Sequence, residues 1–291
     1  MKFLHIYIVC TIVLFFSCKH INKEKPELPE VQIIKKVERK VHRQPDGSNI
    51  SSRFPTPRGF ERTIENKNSF GQYLREFPLL PHGEEVHLFD GSLKYYQEGH
   101  AAILDIDVGT RDLQQCADAV MRLRSEYLFK NKKFDAIAFN FTNGWKFEYQ
   151  KWRDGDKLNV VGNKTNWIVG NERRESYKDF RSYLDQVFMY AGTLSLSKEL
   201  KSKPLEDVEI GDVFIQGGSP GHAVLVVDMC KNPENGDKAI LLAQSYMPAQ
   251  QIHILKNLEN AENSPWYLIS QIENKIITPE WTFGNDQLKT F

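Results

Sequence analysis

Cys116 and His222 are the two side chains whose types, order and surroundings can do covalent chemistry. Cys116 lies in Gln114-Gln115-Cys116-Ala117, near the start of a helix expected from Asp112 to about Phe129 with Thr110 as its N-cap. The thiolate is the attacking form of cysteine, and a helix N-terminus together with a neighbouring imidazolium lowers a thiol pKa towards neutrality. His222 opens the apolar run His222-Ala223-Val224-Leu225-Val226-Val227, directly after Gly217-Gly218-Ser219-Pro220-Gly221. A histidine at a strand end beside a flexible loop can face a cleft and shuttle protons. Both residues also have plainer readings. Leu113, Cys116, Val120, Leu123 and Tyr127 share one helical face, so the thiol also fits a hydrophobic core, and a lone histidine is no more specific.

The four cysteines are Cys10, Cys18, Cys116 and Cys230. Cys10 and Cys18 belong to the N-terminal region described below, which leaves Cys116 and Cys230 as a possible disulfide or as separate thiols. The two alternatives exclude one another. His222 and Cys230 are expected on one strand, about 26 Å apart, so a Cys116 that reaches His222 cannot bond Cys230.

Other chemistries find less support. Gly217-Gly218-Ser219-Pro220-Gly221 matches the G-x-S-x-G pattern, but Pro220 has no N–H for an oxyanion and a strand rather than a helix follows. His82, His87, His100 and His253 are scattered, with no HExxH, paired CxxC or Asp-rich calcium loop, and no phosphate-cradling loop occurs, so no metal or cofactor is expected. Asp105 and Asp107 alternate with apolar residues and read as a solvated face. Lys plus Arg equal Asp plus Glu at 38 each, so no whole-chain field favours nucleic acid. Trp145, Trp152, Trp167, Trp266 and Trp281 can stack on sugar rings wherever they are exposed, although packing is their commoner role.

The positioning elements follow from periodicity. Ser69 to Phe77 reads as a short helix stopped by Pro78; Val86 to Phe89 and Leu93 to Gln97 as two strands around Asp90-Gly91; and Ala101 to Val108 as an apolar stretch. Ala136 to Phe141 and Trp145 to Trp152 flank Asn143-Gly144, a strong hairpin signal. A helix is expected over Ser176 to about Tyr190, ended by Ala191-Gly192-Thr193. Val213–Gln216, His222–Met229 and Ala239–Gln244 then read as an antiparallel meander. The fold class is α+β. With a two-residue turn at Asn235-Gly236, Gln244 pairs opposite Val227 and points away from His222, leaving Ser245 on the histidine's side; a bulge or longer loop reverses this.

The N-terminus carries an address. Phe3 to Phe16 is an apolar run behind Lys2, about 14 residues long and so shorter than the roughly 20 needed to span a bilayer. It ends at Ser17-Cys18, before Lys19 and His20, and residues 1–17 read as a signal peptide. Phe15-Phe16-Ser17-Cys18 resembles a bacterial lipobox, which makes Cys18 the expected site of lipidation and the membrane the expected partner of an envelope protein. Residues 18–57, rich in Lys, Glu, Pro and Ser, are the expected tether, and residues 58–291 a single α+β domain.

The Ile210-Gly211-Asp212-Val213-Phe214-Ile215-Gln216 segment, its glycine loop and the His222 run resemble the core of NlpC-type papain-like cysteine peptidases and amidases. The resemblance implies a helix carrying the nucleophile Cys116 packed on an antiparallel sheet, His222 as its base, and a polar residue on the next strand, Gln244, to orient the histidine. It implies amide hydrolysis, with cell-wall peptides the obvious substrate in an envelope. Asp112 to Val120, Phe141 to Gly144, Tyr190 to Leu196, Gly211 to Met229 and Gln244 to Gln250 also resemble uncharacterised lipoproteins typical of Bacteroidetes, classed as a domain of unknown function. That second resemblance implies an envelope lipoprotein without an assigned activity. The competing expectation is a non-catalytic envelope module that binds a glycan, a peptide or a partner lipoprotein through aromatics such as Trp145 and Trp152.

Overall fold

In the computed structural model the described residues are 46–291. The signal peptide, Cys18 and most of the expected tether lie outside them. Ordered structure begins before Arg58. A turn of helix, Ile50–Arg53, is capped by the Asn49 side chain, which accepts from the Ser52 amide, and Ile50 and Phe54 are buried in the main core. Two large apolar side chains, eight and four residues before the expected boundary at residue 58, are enough to draw that stretch out of the tether.

The central sheet runs, in spatial order, through His100–Ile103, His253–Leu255, Lys238–Gln244, His222–Lys231, Val213–Gln216, Leu288–Thr290 and Lys201–Ser202. All of these pairs are antiparallel, and the expected three-strand meander forms its centre. The His222–Lys231 strand is buried on both faces. Ala223, Leu225 and Val227 join the larger core, while Val224, Val226 and Met229 join a second one with Phe214, Leu242 and Phe283. Burial on both sides accounts for a near-continuous apolar run in place of clean alternation.

The helix Cys116–Lys130 packs Ala117, Val120, Met121 and Leu123 into the larger core. It starts four residues later than its periodicity predicts. Asp118 accepts from the Gln115 amide at 3.0 Å, and this cap sets the first turn at Cys116. Asp112, expected inside the helix, instead accepts from the Ala249 amide at 2.7 Å.

Other elements depart from expectation in instructive ways. The Asn143-Gly144 hairpin pairs Ala138–Asn140 with Lys146–Glu148, but its second arm turns into the helix Tyr149–Asp154 before reaching Trp152. The helix Tyr177–Tyr190 ends at Ala191, within the expected Ala191-Gly192-Thr193 stop, and Gly192 is the N-cap of a further helix, Thr193–Glu199, outside the elements expected from periodicity. The segment around Asp90-Gly91 bridges His87 to Leu93, with the Leu88 amide donating to the Ser92 carbonyl at 2.8 Å, and Leu88 also bridges to Gln250 on its other side, without either pairing extending into a strand.

Candidate active site

The register decides where Gln244 points. Lys231 pairs with Lys238, so the connection is longer than a two-residue turn, and a bulge between Leu241 and Leu242 shifts the pairing so that Ala243 faces Leu225. A one-residue shift turns every later side chain to the other face. Gln244 is thereby brought beside His222, and its Oε1 lies 2.8 Å from His222 Nε2. Ser245, which the simple register set facing the histidine, lies instead 2.9 Å from the Gln114 carbonyl and 2.8 Å from that of Gln250.

Three residues without a sequence signature complete the arrangement. Glu280, in the turn between the strands Lys275–Ile277 and Thr282–Gly284, accepts from Gln244 Nε2 at 2.6 Å and from Lys94 at 2.5 Å. His253 is the cross-strand partner of Gln244, and its Nε2 lies 3.4 Å from Gln244 Nε2 and 3.5 Å from Lys94 Nζ. Its Nδ1 sits 2.9 Å from the Gln251 carbonyl, which can only accept, so the proton resides there and Nε2 accepts.

These contacts fix a tautomer. The Glu280 carboxylate and His253 Nε2 both require donors, so the Gln244 amide presents its NH2 to them and its carbonyl to His222. His222 must then donate from Nε2, which leaves Nδ1 as the basic nitrogen. Burial holds the His222 imidazole down to about 4, with the Gln244 hydrogen bond opposing and the Lys94 charge adding to the fall. Burial likewise holds His253 well below its ordinary value, and the Lys94 charge adds to this. Lys94 is itself lowered by burial, against the pull of Glu280.

Cys116 is the first residue of its helix, nearer the positive end of the dipole than the sequence suggested. The backbone N–H groups of Ala117 and of Ala223, the residue after His222, stabilise its charged form. Burial and the Asp118 carboxylate outweigh them and push the thiol up to about 11. No hydrogen bond joins the thiol to the His222 ring among the described residues. At rest, then, the thiol and the imidazole are both neutral. Tyr246 and Trp281 flank the histidine, with ring centroids 4.8 and 5.3 Å from it. Burial raises the Tyr246 phenol, and the Glu280 carboxylate and an ionised Cys116 would add to this, which puts the thiol, the phenol and the imidazole in one neighbourhood.

The glycine loop supplies close approach. A Cβ on Gly221 would sit 2.5 Å from Thr193 Oγ1 and equally near the Gly218 carbonyl, so only glycine lets the chain enter the His222 strand along this path. Ser219 has no helix behind it, and the sequence grounds for setting it aside stand.

Cys116 and Cys230 are both free thiols. No group of His, Cys, Asp or Glu able to hold a metal forms among the described residues. Asp107 is 61% exposed, as a solvated face requires, yet it also pairs with Arg122 and Arg181. Of the Trp rings, Trp266 is fully buried, whereas Trp145, Trp152 and Trp167 are partly buried against the larger core and Trp281 against the second one.

Residues 50–290 match the family described as Domain of unknown function (4846), and the chain belongs to that family. No curated protein and no solved structure matches the chain.

Proposed function

We propose that this family member is an exported, lipid-anchored cysteine hydrolase that cleaves amide bonds of cell-envelope peptides, with Cys116 as nucleophile, His222 as proton shuttle and Gln244 as its orienter. The observation that carries the reading is the 2.8 Å contact between His222 Nε2 and Gln244 Oε1, because the tautomer it imposes frees Nδ1 to accept a proton. The thiol proton passes to Nδ1 while the sulfur bonds to the substrate carbonyl carbon. The protonated imidazole then gives that proton to the departing amine, leaving a thioester. Water, deprotonated by the same nitrogen, attacks the thioester carbonyl and restores the thiol and the free acid. Hydrogen bonds between nucleophile and base commonly tighten only when substrate is bound, which accommodates the resting separation of the thiol from the ring. Backbone amides at the helix start are suited to developing negative charge.

Envelope location and the Cys18 anchor rest on residues 1–18, and no helix among the described residues is long and apolar enough to cross a membrane. The test is hydrolysis of purified cell-wall peptides followed by release of new amines, comparing the parent with Cys116→Ala. Equal release by both sinks the mechanism.

A further inference from the structure

The site is closed at rest. His222 is 1% exposed and Cys116 7%, so neither the imidazole nor the thiol is open to a solute. Three rings pack on the histidine: Phe283, itself fully buried, and Trp281 and Tyr246, both half-buried. The two half-buried covers are held very differently. The Trp281 backbone is pinned in its turn, where its N–H donates to Thr278 Oγ1 at 3.1 Å and its carbonyl accepts from the Thr278 amide and hydroxyl, both at 2.8 Å. Tyr246 instead lies on the short strap Tyr246-Met247-Pro248, between the strands Lys238–Gln244 and His253–Leu255. Both ends of the strap are tied, Ser245 to the Gln114 and Gln250 carbonyls and the Ala249 amide to Asp112. Between these ties, among the described residues, neither the strap's backbone nor the Tyr246 hydroxyl makes a hydrogen bond. What holds Tyr246 is its ring, whose centroid is 4.8 Å from that of His222 and 6.0 Å from Lys94 Nζ. Met247 beside it is 63% exposed, so the outer side of the strap meets solvent.

Exposure and a lack of backbone hydrogen bonds, between fixed ends, are the physical marks of a segment that opens locally, and such segments commonly close a site around its reactants. We infer that residues 246–248 form a lid and that the Tyr246 ring is its gate, lying on His222 when closed and swinging outwards to admit solutes to the thiol and the imidazole. Opening breaks no hydrogen bond and no ion pair of the strap; it gives up only the ring's contact with His222 and the attraction of the Lys94 ammonium for its face. Trp281 and Phe283 stay as the fixed walls. The lid governs access to the site proposed above, but it is a property of the strap and the thiol alone. A failed lid would leave the hydrolase proposal standing, and an inactive protein would leave the lid standing.

Alkylation of Cys116 in the full-length protein, read by mass spectrometry of the digest, tests the lid without turnover. Two reagents share one reactive group and differ in size: N-methylmaleimide and fluorescein maleimide. A change in thiol acidity moves both rates together, because the thiolate attacks each, whereas loss of a gate favours the larger reagent. With the open form a minor one, roughly 0.1–10% of molecules, Tyr246→Ala should raise the ratio of bulky to small rate at least about tenfold. Tyr246→Phe keeps the ring and should keep the parent's ratio. Cys230, fully buried, is the internal control and should stay unlabelled. Should it be labelled, the variant has unfolded and hydrogen exchange in the parent decides instead. There the Tyr246 and Met247 amides should exchange at least about a hundredfold faster than those of Leu104 and Val226, which donate to Ile252 and Asp212 carbonyls. An unchanged ratio in folded Tyr246→Ala, an equal rise in Tyr246→Phe, or protection of the Tyr246 and Met247 amides matching that of Leu104 and Val226 overturns the lid.

Discussion

Glu280 reaches His222 through a single side chain: its carboxylate accepts from Gln244 Nε2 at 2.6 Å, and Gln244 Oε1 accepts from His222 Nε2 at 2.8 Å. A hairpin turn near the C-terminus thus dictates which ring nitrogen of a central-strand histidine is basic. In the proposed hydrolase, this would give Gln244 and Glu280 positioning roles distinct from that of Cys116.

Replacing Glu280 by Gln should strand Lys94, which is only 8% exposed at its side chain, without its counter-charge. Breaking a buried pair from one side costs about 3 kcal/mol, and chemical denaturation should register a loss of that order. The double variant Glu280→Gln with Lys94→Met removes both charges and should recover most of it. Full stability in the single variant would mean that the pair contributes nothing.

If Gln244 orients the base without touching substrate, as proposed, Gln244→Ala should lower kcat by about a hundredfold with KM little changed. A readout of orientation is the His222 ring itself: nitrogen NMR should show the proton on Nε2 in the parent and a mixture of tautomers in the variant. A parent ring protonated at Nδ1 would remove the basis of the role given to Gln244.

Stability should depend on pH through His222. Its folded pKa of about 4 lies below the ordinary 6.5, so the folded state binds the proton less readily than the unfolded one. The contribution is therefore complete above pH 6.5 and is lost as pH falls towards 4, to a maximum of roughly 3 kcal/mol. His253, held low for the same reason, adds in the same direction. Denaturation midpoints of the parent should fall across this window, and His222→Gln should show a shallower fall. Identical slopes would place His222 in solvent.

Asp118 bears on the thiol in the opposite sense. Burial raises its carboxyl well above the ordinary range despite the hydrogen bond from the Gln115 amide, and its charge helps to raise Cys116. A raised folded pKa means that stability present below the unfolded value near pH 4 is lost as pH rises. Asp118→Asn should therefore be more stable than the parent at pH 7, equal to it near pH 3, and should move the alkylation profile of Cys116 to lower pH. A profile that stays in place would show that the carboxylate has no influence on the sulfur.

What the sequence reveals follows the range of the forces involved. Ser69 and Ser176 cap the helices they precede, and the Val213, His222 and Ala239 runs form adjacent strands, because caps and apolar runs are local signals. The start of the Cys116 helix is misplaced because Thr110 and Asp118 are both acceptable capping residues and only tertiary contacts, among them Asp112 with the Ala249 amide, choose between them. Gln244 could be named as a candidate, yet its face depends on a bulge that no residue type announces. Lys94 and Glu280 stand 186 positions apart. Nothing in either neighbourhood marks them as partners, since charged residues in turns are ordinarily solvated.

The central claim is that Cys116 is a nucleophile driven by His222, and turnover of cell-wall peptides in matched proteins tests it most directly. The parent should release new amines, Cys116→Ala should lose at least about a thousandfold of that rate, and Cys230→Ala, removing a fully buried thiol on the far end of the histidine strand, should retain it. Release that persists in Cys116→Ala, or a parent that releases nothing from any amide-linked wall peptide, would contradict the account.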